Sequence, residues 1–290
     1  MVNLFSTEHP NKNSEKHYDE LVGIEENKSN LLSSLSLLLD SSKIKDWLSK
    51  HHKKEIAIVN QIYSGTPLVI LSGDVGCGKT ALAQSIATPL SLKLDKKIMV
   101  FETPSNIRGS GLVGEISNRI TEAFDQAKRN LGKEKSGILI IDEADDIATS
   151  RSQNQAHHED RAGLNVLIKQ IDLIRKEEIN LAVILITNRV EALDPAVRRR
   201  TSLHLVFERP TGKKVEEVIK YILKDVDYDK SKFSEVINYI QSQDIPYSFS
   251  DLIHRVAKQA IYKAIEIDAP LTIDLFKTTL ENTEPSPLID

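Results

Sequence analysis

The sequence predicts an α/β fold: a parallel β-sheet with flanking helices on both faces, followed by a small all-helical domain. Three observations predict it. Short apolar runs at Leu68–Leu71, Ile98–Phe101, Ile138–Ile141 and Ala182–Ile186 are continuous rather than alternating, as expected of strands buried on both faces. Helical stretches separate the runs, including Ile116 to Asn130 and Arg161 to Lys176, and buried strands alternating with helices make a parallel sheet. After Pro210 the pattern changes. Val215, Val218, Ile219, Ile222 and Leu223 recur at helical spacing, as do Leu252, Ile253, Val256, Ala260, Ile261 and Ala264, so the rest of the chain reads as helices.

Length and composition fit this reading and narrow the function. The chain has 290 residues, 40% hydrophobic and 28% charged, ordinary values for a soluble globular protein of one large domain plus a small one. A net charge of −4 gives no global pull toward nucleic acid or an anionic membrane. The single cysteine, Cys77, excludes an internal disulfide and fits a reducing cytoplasm. The polar opening lacks the apolar core of a secretion signal. The leucine cluster Leu31–Leu39 is broken by serines and is shorter than the roughly 20 apolar residues a membrane span needs; it reads as one face of a buried helix. Residues 1–17 read as a flexible tail, followed by a helical pattern from about Ile24 to Leu39 and a further piece around Trp47 and Leu48. His51-His52-Lys53-Lys54 is a solvated face, since it lacks further metal-ligand partners.

The segment Gly73-Asp74-Val75-Gly76-Cys77-Gly78-Lys79-Thr80 fits G-x-x-x-x-G-K-[ST] between a predicted strand and a predicted helix, the context that gives this motif its meaning. Glycines let backbone N–H groups turn inward around phosphates, and the helix N-terminus adds partial positive charge. The expected cradle is Asp74, Val75, Gly76, Cys77, Gly78, Lys79, Thr80 and Ala81. Lys79 would reach the β- and γ-phosphates of ATP, and the Thr80 hydroxyl would bind Mg²⁺. Cys77 sits where only the backbone is needed, so it reads as a tolerated small side chain rather than a redox switch lowered by the helix terminus.

The run Ile138–Ile141 ends in Asp142-Glu143. A carboxylate at the exposed end of a buried strand beside the cradle can hold Mg²⁺, which assigns Asp142 to the metal. Glu143 is placed to orient or deprotonate the attacking water. Asp145 and Asp146 read as acids favoured at a helix N-terminus. The next strand ends in Thr187-Asn188-Arg189, where Asn188 would face the γ-phosphate water. Leu193-Asp194-Pro195 starts a helix, with Asp194 as cap and Pro195 in the first turn. It carries Arg198-Arg199-Arg200. An arginine reaching a neighbour's γ-phosphate contributes about 10³–10⁵ in rate, and that role requires an oligomer.

Together these segments resemble the AAA branch of the AAA+ ATPases over most of Tyr18 to Leu280. ITNRVEALDPAVRRR (Ile186 to Arg200) is similar to the branch's second region of homology. The resemblance implies Asn188 as the first sensor and Arg199 and Arg200 as the finger pair. YDELVGIEENK (Tyr18 to Lys28) resembles the segment that packs against adenine, around Val22 and Gly23. SFSDL (Ser248 to Leu252) resembles the motif S-G-A-D-L of the helical lid, without a counterpart of the sensor-two arginine. Leu112-Val113-Gly114 falls where the family has its substrate pore loop, with Leu112 in place of the aromatic, a departure that speaks against strong processive threading and leaves room for a gentler local grip; the other reading is an ordinary glycine-bearing loop. His157-His158-Glu159-Asp160 lies where a second pore loop would fall and reads equally as a disordered polar loop. The resemblance implies a large P-loop domain over 18–208, a small helical lid over 209–290, ATP and Mg²⁺ as cofactors, and a ring of identical subunits, a hexamer.

Within the branch, Tyr18 to Trp47 and Arg161 to Asp172 resemble the pachytene-checkpoint remodeller family, which partly unfolds HORMA-domain proteins. Bacterial relatives of that family sit in cyclic-nucleotide antiphage (CBASS) operons and lack a separate N-terminal adaptor domain, for which this chain likewise leaves no room. The implied substrate is a HORMA-domain protein, with no nucleic acid and no membrane as partner. The rival readings are a general AAA unfoldase or complex-disassembly enzyme with another client, a nucleic-acid motor, and a nucleotide switch without turnover. The acidic balance argues against the motor, and the presence of Glu143, Asn188 and Arg199 argues against the switch.

Overall fold

The computed structural model describes residues 2–52, 56–59, 65–104, 114–132, 135–148 and 158–288. Among them, the strands β1 (Phe5–His9), β2 (Leu68–Gly73), β3 (Ile98–Glu102), β4 (Ser136–Ile141), β5 (Leu181–Thr187) and β6 (Leu203–Phe207) form one sheet in the order β1-β3-β4-β5-β2-β6. The pairs β3–β4, β4–β5 and β5–β2 are parallel. Every residue of β4 and β5 is buried, which is why their sequences are continuously apolar. Ser72 stands opposite Thr187, and Ile141 opposite Leu185. The carboxyl ends of β2, β4 and β5 therefore share one edge of the sheet, the edge at which α/β sheets bind ligands.

The helices beside the sheet are α1 (Lys12–Glu20), α2 (Glu25–Leu39), α3 (Ser42–His51), α4 (Lys79–Ser85), α5 (Ala87–Leu94), α6 (Glu115–Leu131), α7 (His158–Lys176) and α8 (Pro195–Arg198). On α6 the buried residues Ile116, Ile120, Ala123, Phe124, Ala127 and Leu131 recur at helical spacing. They join Leu164, Leu167, Ile171 and Ile174 of α7 and Leu139, Ile141, Val183 and Leu185 of the sheet in one core. The two helices approach closely at Gly163, where a Cβ would stand 2.4 Å from Ile116 Cγ2.

Two edge strands were not expected. Residues 1–17, read as a flexible tail, instead contain β1 and most of α1. β1 pairs antiparallel with β3, from Phe5 opposite Glu102 to His9 opposite Ile98. Val2 is buried, with its N–H on Glu122 Oε2 at 2.8 Å. His9 is buried between Thr88 Oγ1 (2.8 Å, Nδ1) and Thr7 Oγ1 (3.0 Å, Nε2). The sequence Phe5-Ser6-Thr7-Glu8-His9 is polar because an outer strand needs no two-sided apolar burial. β6 was missed for the same reason: its residues alternate in burial instead of forming a continuous run.

The chain divides into two compact units. One is Met1–Asp19, Glu26–Ser72 and Thr80–Val206; the other is Glu20–Glu25, Gly73–Lys79 and Phe207–Asp290. The second unit carries α9 (Lys213–Ile222), α10 (Lys230–Gln241), a π-helical turn (Asp251–Ala257) running into α11 (Lys258–Glu266), and α12 (Ile273–Glu281). Its buried residues include Val215, Val218, Ile219, Leu252, Val256 and Ala260, positions whose spacing predicted helices, together with Phe276. Asp229 and Thr272 cap α10 and α12 by accepting from Ser231 N and Leu275 N, each satisfying an orphan donor. The phosphate-loop residues 73–79 and the segment 20–25 belong to this unit, a division finer than a single cut near residue 208.

Candidate functional site

In the sheet unit the site is built where β4 ends. Asp142 follows Ile141, and both of its carboxylate oxygens are engaged. Oδ2 accepts from the Thr80 hydroxyl at 2.8 Å, and Oδ1 accepts from the Glu143 N–H at 2.8 Å. Glu143 has φ of +52°, a left-handed conformation that costs a non-glycine residue about 1–2 kcal/mol. That conformation turns the chain off the strand and leaves Glu143 exposed. The 3₁₀ turn Ala144–Asp146 follows. Here Asp145 does more than favour a helix terminus. Its Oδ1 accepts from Thr187 Oγ1 at 2.7 Å and its Oδ2 from Arg189 Nε at 3.5 Å. The Arg189 N–H donates to Thr187 Oγ1 at 3.0 Å. Asp145 thus ties the end of β4 to the end of β5 and holds the turn bearing the exposed Asn188.

The arginine helix forms as expected: Asp194 Oδ1 accepts from Ala196 N at 2.8 Å, with proline opening α8. Arg198 and Arg199 are exposed. Arg200 is differently placed. Its Nε and Nη2 fork onto the Asp172 carboxylate at 3.1 and 3.2 Å, and its Nη1 donates to Ala196 O at 3.0 Å. The expected pore residues Leu112 and Val113 lie outside the described residues, as do His157 and the side chains of His158, Glu159 and Asp160. Gly114 immediately precedes α6 with φ of +79°.

In the helical unit the phosphate loop is shaped by what packs on it. A Cβ at Gly73 would stand 2.0 Å from Phe207 O, and the Asp74 N–H donates to that same carbonyl at 3.2 Å. A Cβ at Gly76 would stand 2.8 Å from Ser248 Oγ and from Ser250 Cβ, while Ser250 N donates to Gly76 O at 3.0 Å. Both glycines have positive φ, so backbone conformation and close approach exclude a side chain together. Lys79 is buried, its Nζ donating to Gly73 O (2.8 Å) and Asp74 O (2.7 Å). Burial, with Asp74 adding to it, pushes the Cys77 thiol up to about 11, the opposite of an activated cysteine. Ala81 is exposed in the first turn of α4. Gly23 lies against Phe249, where a Cβ would be 2.9 Å from Cε1, and Ile24 Cδ1 is 3.6 Å from the Cβ position of Gly78. Three segments singled out in the sequence, around Val22-Gly23, the phosphate loop and Ser248–Leu252, therefore meet here.

A family model described as the ATPase family associated with various cellular activities (AAA) matches residues 69–209. The chain is 34% identical over 280 residues to CD-NTase-associated protein 6 of Escherichia coli (strain MS 115-1), across 91% of this chain and 90% of that protein. The chain belongs to the AAA family of ATPases. Its fold is similar to a chain of the E. coli MS115-1 HORMA:CdnC:Trip13 complex, with a TM-score of 0.91 and 32% identity over 99% of this chain and 98% of that one. It is also similar to Rhizobiales Trip13, with a TM-score of 0.76 and 27% identity over 98% of both. As an AAA ATPase the chain binds nucleotide and hydrolyses ATP.

Within this AAA ATPase, two groups at the site escaped sequence reasoning. Asp145 looked like a generic helix-start acid. Arg209, buried against Asp74 of the phosphate loop, carries no motif; an arginine before a proline gives no signal of a partner far away in sequence. Among the described residues no helix is long and apolar enough to cross a membrane.

Proposed function

We propose that this AAA ATPase works as a ring of identical subunits, a hexamer, and spends ATP to remodel or partly unfold a HORMA-domain protein in an antiphage signalling system. The observation that carries this reading is similarity across nearly the whole chain, lid included, to the chain of the HORMA:CdnC:Trip13 complex. A likeness confined to the ATPase core would support ATP turnover alone.

The site supports a matching chemistry. Thr80 Oγ1 and Asp142 present hard oxygen donors within 2.8 Å of each other, and such a pair fits Mg²⁺. Among the described residues no group of three or more His, Cys, Asp or Glu is arranged to hold a metal, so the ion would complete its shell from phosphate oxygens and water. When bound, Mg²⁺ supplies neutralisation of charge on the β- and γ-phosphates. Lys79 and the loop amides bind the triphosphate. Glu143, standing free of the strand on its left-handed turn, orients and deprotonates the attacking water. Asn188, held by the Asp145–Thr187 link, positions that water. Arg199 is the arginine that reaches the neighbouring subunit's nucleotide, and Arg200 props the helix through Asp172. Leu112, Val113 and Gly114 grip the client.

The test is an ATPase assay on the purified protein with and without a HORMA-domain protein from the same organism, alongside the assembly's mass in solution. A six-subunit particle whose phosphate release rises with the HORMA-domain protein supports the proposal. A monomer in saturating ATP, or turnover indifferent to that protein, contradicts it.

A further inference from the structure

The Arg209 side chain is 4% exposed and almost every donor it has is used. Its Nε donates to Asp74 Oδ2. Its Nη1 donates to Pro246 O at 2.7 Å and Ser286 O at 2.6 Å, and its Nη2 to Pro287 O at 2.9 Å. The other Asp74 oxygen accepts from the Val75 N–H at 2.7 Å, and the Asp74 carbonyl accepts from Lys79 Nζ at 2.7 Å. One residue of the phosphate loop is thus bonded to the loop lysine, to the loop backbone and to Arg209.

That arrangement answers an electrostatic problem. A carboxylate at the mouth of a polyphosphate cradle opposes the anion it must admit. A guanidinium fixed by backbone carbonyls cancels that charge in place, and its planar fork dictates where the carboxylate points. We propose that Arg209 is a positioning residue for ATP binding: it neutralises and orients Asp74, so that Lys79 and the loop amides meet the triphosphate without a competing negative charge. The proposal rests on the phosphate-loop reading of Gly73–Thr80. A plain structural staple would make a different prediction: its loss would cost stability whether or not Asp74 carried a charge.

The experiment measures equilibrium binding of a fluorescent ATP analogue with Mg²⁺ to the full chain. Arg209→Met is compared on two backgrounds, the parent and Asp74→Asn. On the parent, Arg209→Met is expected to weaken binding by about 10-fold or more through the exposed like charge. Its effect should fall on KM, with kcat at saturating ATP changed less than about 3-fold. On the Asp74→Asn background the same change should cost less than about 3-fold, because the charge it answers is gone. An equal loss on both backgrounds, or none on the parent, overturns the proposal. If Arg209→Met does not fold on the parent, the neutral background decides alone, since removing both members of a buried pair is tolerated far better than removing one; a tenfold loss there overturns it. Lys79→Ala separates the two readings. If it binds ATP normally, the phosphate-loop assignment itself fails; if it loses binding while Arg209→Met does not, only this inference fails.

Discussion

At the residue scale the site depends on side chains whose second contacts fix their first. Asp142 is aimed by the Glu143 N–H, Asn188 is held by a link through Asp145, and Arg200 is locked onto Asp172. The two adjacent arginines should therefore separate experimentally. Arg199→Ala is expected to lower turnover by about 10³-fold or more while leaving ATP affinity near the parent value, as for an arginine that acts on the transition state. Arg200→Ala should be mimicked by Asp172→Ala, because both break one fork; steady-state kinetics and ATP binding on all three variants check this. Cys77 gives a second residue-scale prediction. With its thiol pushed up to about 11 by burial, alkylation by iodoacetamide at pH 8 should be slow in the native chain and fast once the chain is denatured, read by mass spectrometry. Much of this scale was legible in the sequence. Gly73–Thr80, Asp142-Glu143 and Asn188 are contiguous motifs attached to strand ends. Asp145–Thr187, Arg200–Asp172 and Arg209–Asp74 were not legible, because each joins residues far apart in the chain and only the fold brings them together.

At the element scale, legibility followed burial. β2, β4 and β5 lie inside the sheet and announce themselves as apolar runs; β1 and β6 carry the ordinary composition of outer strands and were silent. The helical unit was readable from spacing at α9, which buries Val215, Val218 and Ile219, and at α11, which buries Ala260 and Ala264. β1 also yields a pH prediction. Burial lowers the His9 pKa below its ordinary 6.5, so the folded strand favours the neutral ring. The groups facing that ring are the hydroxyls of Thr7 and Thr88. As pH falls below about 6.5, the unfolded segment takes up a proton that the folded one resists, and the strand loses stability until the folded pKa is passed. Amide hydrogen exchange across residues 2–9, corrected for intrinsic rates, should show protection falling between pH 7 and pH 5, and His9→Gln should flatten that dependence. Protection that does not change with pH would contradict the assignment of His9 as a neutral link between β1 and α5.

At the scale of the whole molecule, the proposed function requires ATP chemistry to become work on another protein. The phosphate-loop segment Gly73–Lys79 belongs to the helical unit. Within that unit the loop is bonded to Phe207, Arg209 and Ser250, so in the proposed function turnover that alters the loop shifts those contacts, the kind of local phosphate chemistry that drives larger rearrangements. The central claim is that this motion acts on a HORMA-domain client, and it is tested most directly by trapping. Glu143→Gln should bind ATP yet hydrolyse it at least about 10²-fold more slowly, holding the assembly on its client. The tagged variant is captured with ATP from its native cells, with Lys79→Ala as the non-binding control, and the retained protein is identified. A HORMA-domain protein held by Glu143→Gln in ATP and absent from the control is the predicted result. Nucleic acid as the sole retained species, or a HORMA-domain protein held equally by both variants, would contradict the account.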